Sequence, residues 1–173
     1  GSVTFYQSDP DDPIVTTYVK SFPQTFKPLS AMPKALLAHI RYPEDIFTAQ
    51  TEIFTTYHMT DTQTFYNKED QWEVPTISST TDAQTTPASA MTPRHMIMKL
   101  PGEASEEYIL MLPFTPRSKD NLSAWMVARN DAGKYGKLLV YQFPKDKLVF
   151  GPKQIIGRIN QDAEVSRQIS LWD

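Results

Sequence analysis

The sequence predicts an α+β fold, in which an antiparallel sheet of about residues 94–159 packs against an N-terminal helical layer. Before about residue 75 the apolar side chains recur with the 3.6-residue period of helices, whereas after residue 94 they alternate with a period of two. Short turn-like segments join the later strands, which is typical of an antiparallel meander. At 173 residues the chain has the length of one domain, so we expect residues 1–173 to form a single α+β domain.

The first elements are short and are marked by their flanking residues. Val3–Gln7 alternates and predicts a strand. Asp12 and Pro13 then suit the N-cap and the first position of a helix, and Pro23 ends that helix. Phe26–Leu29 is expected to be extended and to lead to a second helix.

The clearest helical pattern follows Pro43, which suits a first helical position because its missing N–H would have no partner there. The preceding helix, which contains Leu36, should end near Arg41, since residues before a proline avoid the helical conformation. Thr60 and Gln63 have the spacing of a capping box and predict a short helix over residues 61–67. The apolar stripe of the main helix consists of Ile46, Phe47, Ile53, Phe54 and Tyr57.

Residues 76–94 are polar and rich in serine and threonine. They contain too few large apolar side chains to offset the entropy of ordering, so we expect a flexible loop. After this loop the period changes to two. The predicted strands are His95–Leu100, Tyr108–Leu112, Ala124–Arg129 and Leu138–Phe143, with shorter candidates at Leu148–Phe150 and Gln154–Ile159, and Asp162 is expected to cap a last helix from Ala163 to about Leu171.

Composition excludes several classes of function. A net charge of −3, a pI of about 5.6 and the lack of a Lys/Arg run argue against nucleic-acid binding. The absence of cysteine rules out disulfides and thiolate zinc ligands. No apolar run reaches the ~18 residues of a membrane span, so we expect no membrane insertion by this segment. The three histidines are scattered along the chain, so we predict no metal site. Gly133–Lys137 lacks the spacing of a phosphate-binding loop, so we predict no other cofactor.

The candidate functional residues lie around the predicted main helix. The acids between Asp61 and Glu73 could supply the paired carboxylates of glycoside chemistry, but acids in a short helix and loop are usually solvated, and we predict no catalytic residue. The aromatic side chains of this segment favour core packing, with an aromatic-lined groove as the alternative. The candidate ligand-binding residues are Arg41, Tyr42, Glu44, Asp45, His58, Asp61, Tyr66 and Asp70.

Two motifs are specific, RYPED at residues 41–45 and FYNKED at residues 65–70. They lie within a stretch from VTFYQSDPDDP to QWEVP, residues 3–75, and a second stretch from MLPFTPRSKD to RQISLWD covers residues 111–173. In these stretches the chain closely resembles the UPF0182 family of uncharacterised bacterial membrane proteins. The resemblance implies several N-terminal transmembrane helices and a large soluble part outside the cytoplasm, of which this chain would be an excised piece. It implies no activity and transfers no functional residue.

Three functional expectations follow. The leading one is a non-catalytic, extracytoplasmic interaction module of an integral membrane protein in the cell membrane, whose partners are the rest of its own chain and a further protein or envelope polymer. The alternative is an envelope hydrolase that acts on a glycan or peptide through the acids between Asp61 and Glu73. The third is a purely structural fragment, which an exposed apolar face or an unpaired sheet edge would indicate.

Overall fold

The computed structural model describes residues 1–77, 80–81, 84–85, 88–131 and 133–172, and its mixture of helices and antiparallel strands confirms the predicted α+β class. The helices are α1 (Pro13–Ser21), α2 (Lys34–Leu37), α3 (Glu44–Tyr57), α4 (Thr62–Asn67), α5 (Pro152–Gln161) and α6 (Ala163–Trp172). The strands are β1 (Phe5–Gln7), β2 (Phe26–Pro28), β3 (Trp72–Glu73), β4 (Thr76–Ile77), β5 (Thr80–Thr81), β6 (Gln84–Thr85), β7 (Ser89–Ala90), β8 (Arg94–Lys99), β9 (Glu106–Pro116), β10 (Ala124–Arg129) and β11 (Leu138–Gln142).

The main sheet has five antiparallel strands in the order β11, β10 and β9, with both β8 and β3 on the outer edge of β9. The long strand β9 pairs with β8 through residues 106–111 and with β3 through residues 115–116. We expected this strand to end at Pro113, which was wrong. The backbone of Phe114 points towards β10, since its carbonyl oxygen accepts a hydrogen bond from the Ser123 N–H. The backbone nitrogen of the preceding residue, Pro113, therefore points towards the opposite edge of β9. It faces the gap between β8 and β3, where no N–H is needed.

One face of the main sheet is covered by α3, as the sequence predicted. Phe47 of α3 is fully buried, and Trp72 is 5% exposed. Both pack on a cluster from the central strands, which shows that burial of one side of α3 attaches the helical layer to the sheet. The sheet residues of this cluster are Leu110, Leu112, Phe114, Ala124, Met126 and Ala128.

The other face of the sheet, termed the open face, has a smaller buried core. Leu100, Ile109 and Val127 are buried there. The side chains around them are partly buried, so this face is less completely covered than the face under α3. These partly buried residues are Met96, Met98, Met111, Trp125, Leu139 and Tyr141.

The last part of the predicted sheet was wrong. Residues 154–159 belong to helix α5, and Leu148–Phe150 forms no strand apart from one isolated bridge between Phe150 and Asn121. Gly151 and Pro152 begin the helix, with the Gly151 N–H donating to Gln154 Oε1 at 3.1 Å. The main sheet therefore ends at residue 142 instead of 159.

Several helix ends differ from the prediction by a few residues. Asp61, not Thr60, caps α4, because its Oδ1 accepts a hydrogen bond from the Thr64 N–H at 2.8 Å. Pro43 is the N-cap of α3 rather than its first residue, and α2 ends at Leu37 rather than near residue 41. Asp12 caps α1 as predicted. Strand β1 pairs in parallel with β2 in a separate two-stranded sheet.

The segment predicted to be a flexible loop contains short paired strands where it is described. Strand β4 pairs with β7, and β5 pairs with β6. Residues 78–79, 82–83 and 86–87 lie outside the described residues. Flexibility of residues 76–94 and the single-domain organisation therefore stay predictions.

Candidate functional site

The C-terminal end of α3 positions His58, one of the predicted candidates. His58 follows the last residue of the helix, and its Nδ1 lies 2.9 Å from the carbonyl oxygen of Phe54. Its Nε2 lies 3.0 Å from the carbonyl oxygen of Asp70, and its ring stacks on Trp72. Both nitrogens and one ring face of His58 are therefore engaged by neighbouring residues, which fixes the side chain.

A cleft of about 300 Å³, termed the histidine cleft, opens beside His58. It unites three predicted candidates, His58, Asp61 and Asp70. Lys145, from the β11–α5 connection, places its Nζ 2.8 Å from Asp70 Oδ2. Lys145 was not among the predicted residues, because it lies 75 residues beyond Asp70 and carries no local motif. The remaining lining residues are Met59, Thr60, Thr64, Trp72, Ser123, Gln142 and Phe143.

The two carboxylates of the histidine cleft have structural partners. Hydrogen bonds from Thr64, chiefly from its backbone N–H, lower the pKa of Asp61. A general acid in glycoside hydrolysis requires the opposite, a carboxyl group whose pKa is raised. Asp70 is paired with Lys145. The hydrolase alternative thus gains no support from this pair of acids.

A second group of candidates lies at the other end of α3, about 20 Å away along a 14-residue helix. The Arg41 guanidinium lies over the ring of Tyr108, with its Cζ 4.6 Å from the ring centroid. His95 stacks on the same ring, and its Nδ1 is 3.3 Å from Glu44 Oε1. The buried Nε2 of His95 has no hydrogen-bond partner among the residues described. Arg41 and Glu44 therefore attach the helical layer to the sheet.

Tyr42 belongs to the same attachment. Its backbone N–H donates to the Oδ1 of Asn130 at 2.6 Å, and its ring meets Phe47 edge-on. Burial, and secondarily the neighbouring phenol of Tyr135, raise the pKa of Tyr42. The hydroxyl is accordingly neutral at physiological pH, and Tyr42 acts as a packed anchor.

The last two candidates lie on the outer surface. Asp45 is exposed in the first turn of α3, where a negative charge favours the helix dipole. Tyr66 is 86% exposed on α4. The structure thus brings three candidates to the histidine cleft and three to contacts with the sheet at the opposite end of α3. Asp45 lies at that same end but points outward, and Tyr66 lies on α4, so neither belongs to these groups.

A buried ion-pair network on the open face was not predicted. The side chains of Glu107 and Arg129 are 2% and 8% exposed, and the guanidinium binds the carboxylate through Nε and Nη2. Lys134 completes the network, with its Nζ 2.5 Å from Glu107 and 2.8 Å from Glu103. Because each buried charge has a partner, the charges of this network compensate one another within the fold and leave no reactive group.

Neither a cluster of metal ligands nor a membrane-spanning helix is present among the described residues. No three His, Asp or Glu side chains are grouped so that they could hold a metal ion. No helix there is both long and apolar enough to cross a membrane.

These features define a class: an α+β domain with an open polar cleft at the junction of a helix and a sheet edge. The chain matches the model of the uncharacterised protein family UPF0182 over residues 1–172, and it belongs to that family, as its motifs predicted. It is 55% identical over 173 residues to a UPF0182 protein of Microcystis aeruginosa and 53% identical over 173 residues to one of Geotalea uraniireducens. It is 52% identical over 172 residues to a UPF0182 protein of Geobacter sulfurreducens.

The alignments cover 99–100% of this chain but only 18% of the length of each of these relatives. The chain therefore corresponds to a small part of much longer proteins. No solved structure matches it.

Proposed function

We propose that this chain is a non-catalytic interaction module of a longer integral membrane protein, that it lies outside the cytoplasm, and that it packs against the rest of that protein. The observation that carries the proposal is its large accessible surface, 12,405 Å² for 19.7 kDa. A compact monomer of this mass exposes about 8,600 Å². The excess is the kind of surface that a larger assembly would cover.

Large apolar side chains are exposed on this surface, and several of them are aligned along helices. On α3, Ile46, Ile53 and Tyr57 are 51%, 55% and 68% exposed, and their spacing places them on one outer stripe of the helix. On α1, Ile14 and Tyr18 are one helical turn apart and exposed as well. Aligned apolar side chains in water are typical of contact surfaces, whereas single exposed ones are common on any protein.

The open face of the sheet adds a third apolar surface, whose outer side chains are partly buried. Trp125 and Tyr141 lie there with ring centroids 5.1 Å apart, beside the flexible side chains of Met96 and Met111. Methionine-rich surfaces adapt well to a partner. The occupant we assign to these surfaces is the rest of the same polypeptide, because more than four fifths of the length of the relatives lies outside the matched region.

Site-specific photocrosslinking in a full-length family protein that carries this region tests the proposal. A benzoylphenylalanine at Ile53 or Trp125 should give crosslinks to other parts of the same chain, mapped by mass spectrometry. The matched control is the same probe at Gln24, an exposed polar position, which should give few. Crosslinks from Ile53 and Trp125 to other proteins alone, or none at all, would contradict the assigned occupant.

The location outside the cytoplasm has its own test. The region contains no cysteine, so Gln24→Cys in a full-length protein cleared of other cysteines creates a single labelling site. A membrane-impermeant maleimide should label this site in intact cells whose outer barrier is permeabilised. Labelling only after lysis of the inner membrane would place the region in the cytoplasm and overturn that part of the proposal.

A further inference from the structure

A second cleft of about 330 Å³, termed the basic cleft, adjoins the histidine cleft. The two share Asp70, Ser123, Phe143 and Lys145 as a common wall. Three connections form the basic cleft, those between α4 and β3, between β9 and β10, and between β11 and α5. Its cationic side chains are Lys68, Arg117, Lys119, Lys145 and Lys147.

The charge of the basic cleft is opposite to that of the whole chain. Five cations face only two carboxylates, Glu69 and Asp70, which leaves three positive charges in excess in a chain whose net charge is −3. Lys145 is paired with Asp70, but among the residues that the structure describes the four other cations have no carboxylate within 4.0 Å. Positive charge is therefore in excess here, and the two carboxylates of the cleft offset only part of it.

The backbone holds these cations together. The Arg117 N–H donates to the carbonyl oxygen of Gln71 at 2.8 Å, which ties the β9–β10 connection to the α4–β3 connection. The Phe143 N–H donates to the carbonyl oxygen of Ser123 at 2.8 Å, which ties in the connection that follows β11. Because the three segments are fixed, their cations stay around one cleft, where the charge of a bound anion would offset theirs.

We propose that the basic cleft binds a ligand that carries a phosphate group. Lysine ammonium groups bind phosphate as point charges, and a phosphate monoester carries nearly two negative charges at neutral pH, which suits the excess of three better than a carboxylate does. Ser118, Asn121 and Ser123 line the same cleft and add hydroxyl and amide donors. The volume lies at the lower end of the range for ligand sites, which limits the bound part to a small group.

This group could belong to a soluble phosphate ester or to the headgroup of an anionic phospholipid, since both present the same chemistry. The proposal goes beyond the interaction module, because it concerns a polar cleft and not the apolar surfaces. It can therefore fail or hold independently of the crosslinking result.

The test measures binding of the 173-residue chain to three probes. Calorimetry follows inorganic phosphate and glycerol 3-phosphate, and flotation follows vesicles of phosphatidylcholine with and without phosphatidylglycerol. The K119E/K147E variant reverses two cations of the cleft. The matched control K27E/K34E makes the same change in net charge at exposed lysines that do not line it.

We expect K119E/K147E to weaken binding by at least about tenfold and the control to change it by less than about twofold. Binding of glycerol 3-phosphate identifies a soluble ester, and binding only to vesicles with phosphatidylglycerol identifies a headgroup. The proposal is overturned if the unmodified chain binds none of the probes, or if the control loses as much as the cleft variant. If circular dichroism shows K119E/K147E to be unfolded, K119A/K147A provides the same comparison.

Discussion

The imidazole of His58 stacks on the indole of Trp72, with ring centroids 3.6 Å apart and ring planes inclined by 15°. This contact joins the end of α3 to β3, the short strand on the outer edge of β9. Trp72 also packs against Phe114 from the middle of the sheet, with ring centroids 5.6 Å apart. The wall of the histidine cleft and the attachment of the helical layer therefore depend on the same pair of rings.

Replacing His58 should destabilise the protein. His58→Ala removes the stacking and both polar contacts to the carbonyl oxygens of Phe54 and Asp70, and we expect a loss of about 2 kcal/mol in the free energy of unfolding. His58→Phe keeps the stacked ring and should lose about half as much. Urea denaturation measures both changes. His39 is exposed, so His39→Ala should stay within about 0.5 kcal/mol of the original protein, and an equal loss in the two alanine variants would refute a special role of the pair.

The sequence predicted the helices that carry local signals. Asp12 caps α1 by accepting hydrogen bonds from its own helix, and the stripe containing Phe47 predicted α3. Of that stripe only Phe47 and Phe54 pack on the sheet, whereas Ile46, Ile53 and Tyr57 are more than half exposed. The prediction failed at residues 154–159, where alternating side chains suggested a strand. Gly151 and Pro152 are the signal of a helix start there, whereas the period of so short an apolar run does not distinguish a strand from a helix.

The candidate site was predictable only in part, for a related reason. His58, Asp61 and Asp70 are close in sequence, so one segment sufficed to propose them. Lys145 joins them through the pairing of distant strands, and no spacing in the sequence indicates that contact. The same holds for Arg129, whose partner Glu107 lies 22 residues earlier on the neighbouring strand. Registers of long-range strand pairs determine such contacts, and a single sequence does not reveal them.

Removing one partner of the Glu107–Arg129 pair should strongly reduce the free energy of unfolding, whereas replacing both partners by apolar residues should change it little. Arg129→Ala leaves a carboxylate that is 2% exposed without its main partner, and we expect a loss of about 3 kcal/mol in the free energy of unfolding. The double variant E107L/R129M replaces both charges by apolar groups and should lie within about 1 kcal/mol of the original protein. Arg167→Ala breaks an exposed pair on α6 and serves as the control, with an expected change below about 0.5 kcal/mol. A double variant as unstable as Arg129→Ala in denaturant titrations would show that the charges themselves are required.

The same network predicts a loss of stability in acid. Burial raises the pKa of Glu107, but hydrogen bonds from Arg129 and Lys134 outweigh it and hold the pKa below the ordinary value of 4.5. The pKa of Glu107 is thus lower in the folded than in the unfolded chain. The stability that ionised Glu107 contributes is therefore complete above about pH 4.5, and it is lost as the pH falls through the folded-state pKa. Thermal unfolding between pH 6 and pH 3 should show this loss. Glu107→Gln should flatten the dependence, whereas Glu52→Gln, at an exposed position of α3, should not. Identical pH profiles for the three proteins would assign the acid sensitivity to other groups.

Two glycines near and within α5 should respond to alanine in opposite directions. Gly151 has an ordinary extended conformation, but a Cβ atom there would lie 2.1 Å from the backbone oxygen of Asp120 and 3.3 Å from Thr115 Cγ2. Since a backbone oxygen cannot move as a flexible side chain can, Gly151→Ala should reduce the free energy of unfolding by about 1–3 kcal/mol and displace the start of α5.

Gly157 lies in the middle of α5, and a Cβ there meets nothing within 4 Å. Gly157→Ala should therefore raise stability by about 0.5–1 kcal/mol, because alanine loses less backbone entropy in a helix. Thermal and urea unfolding of the two variants measure the contrast. A neutral Gly151→Ala would mean that α5 does not lie so close to the β9–β10 connection, and a destabilising Gly157→Ala would mean that residues 154–159 are not helical.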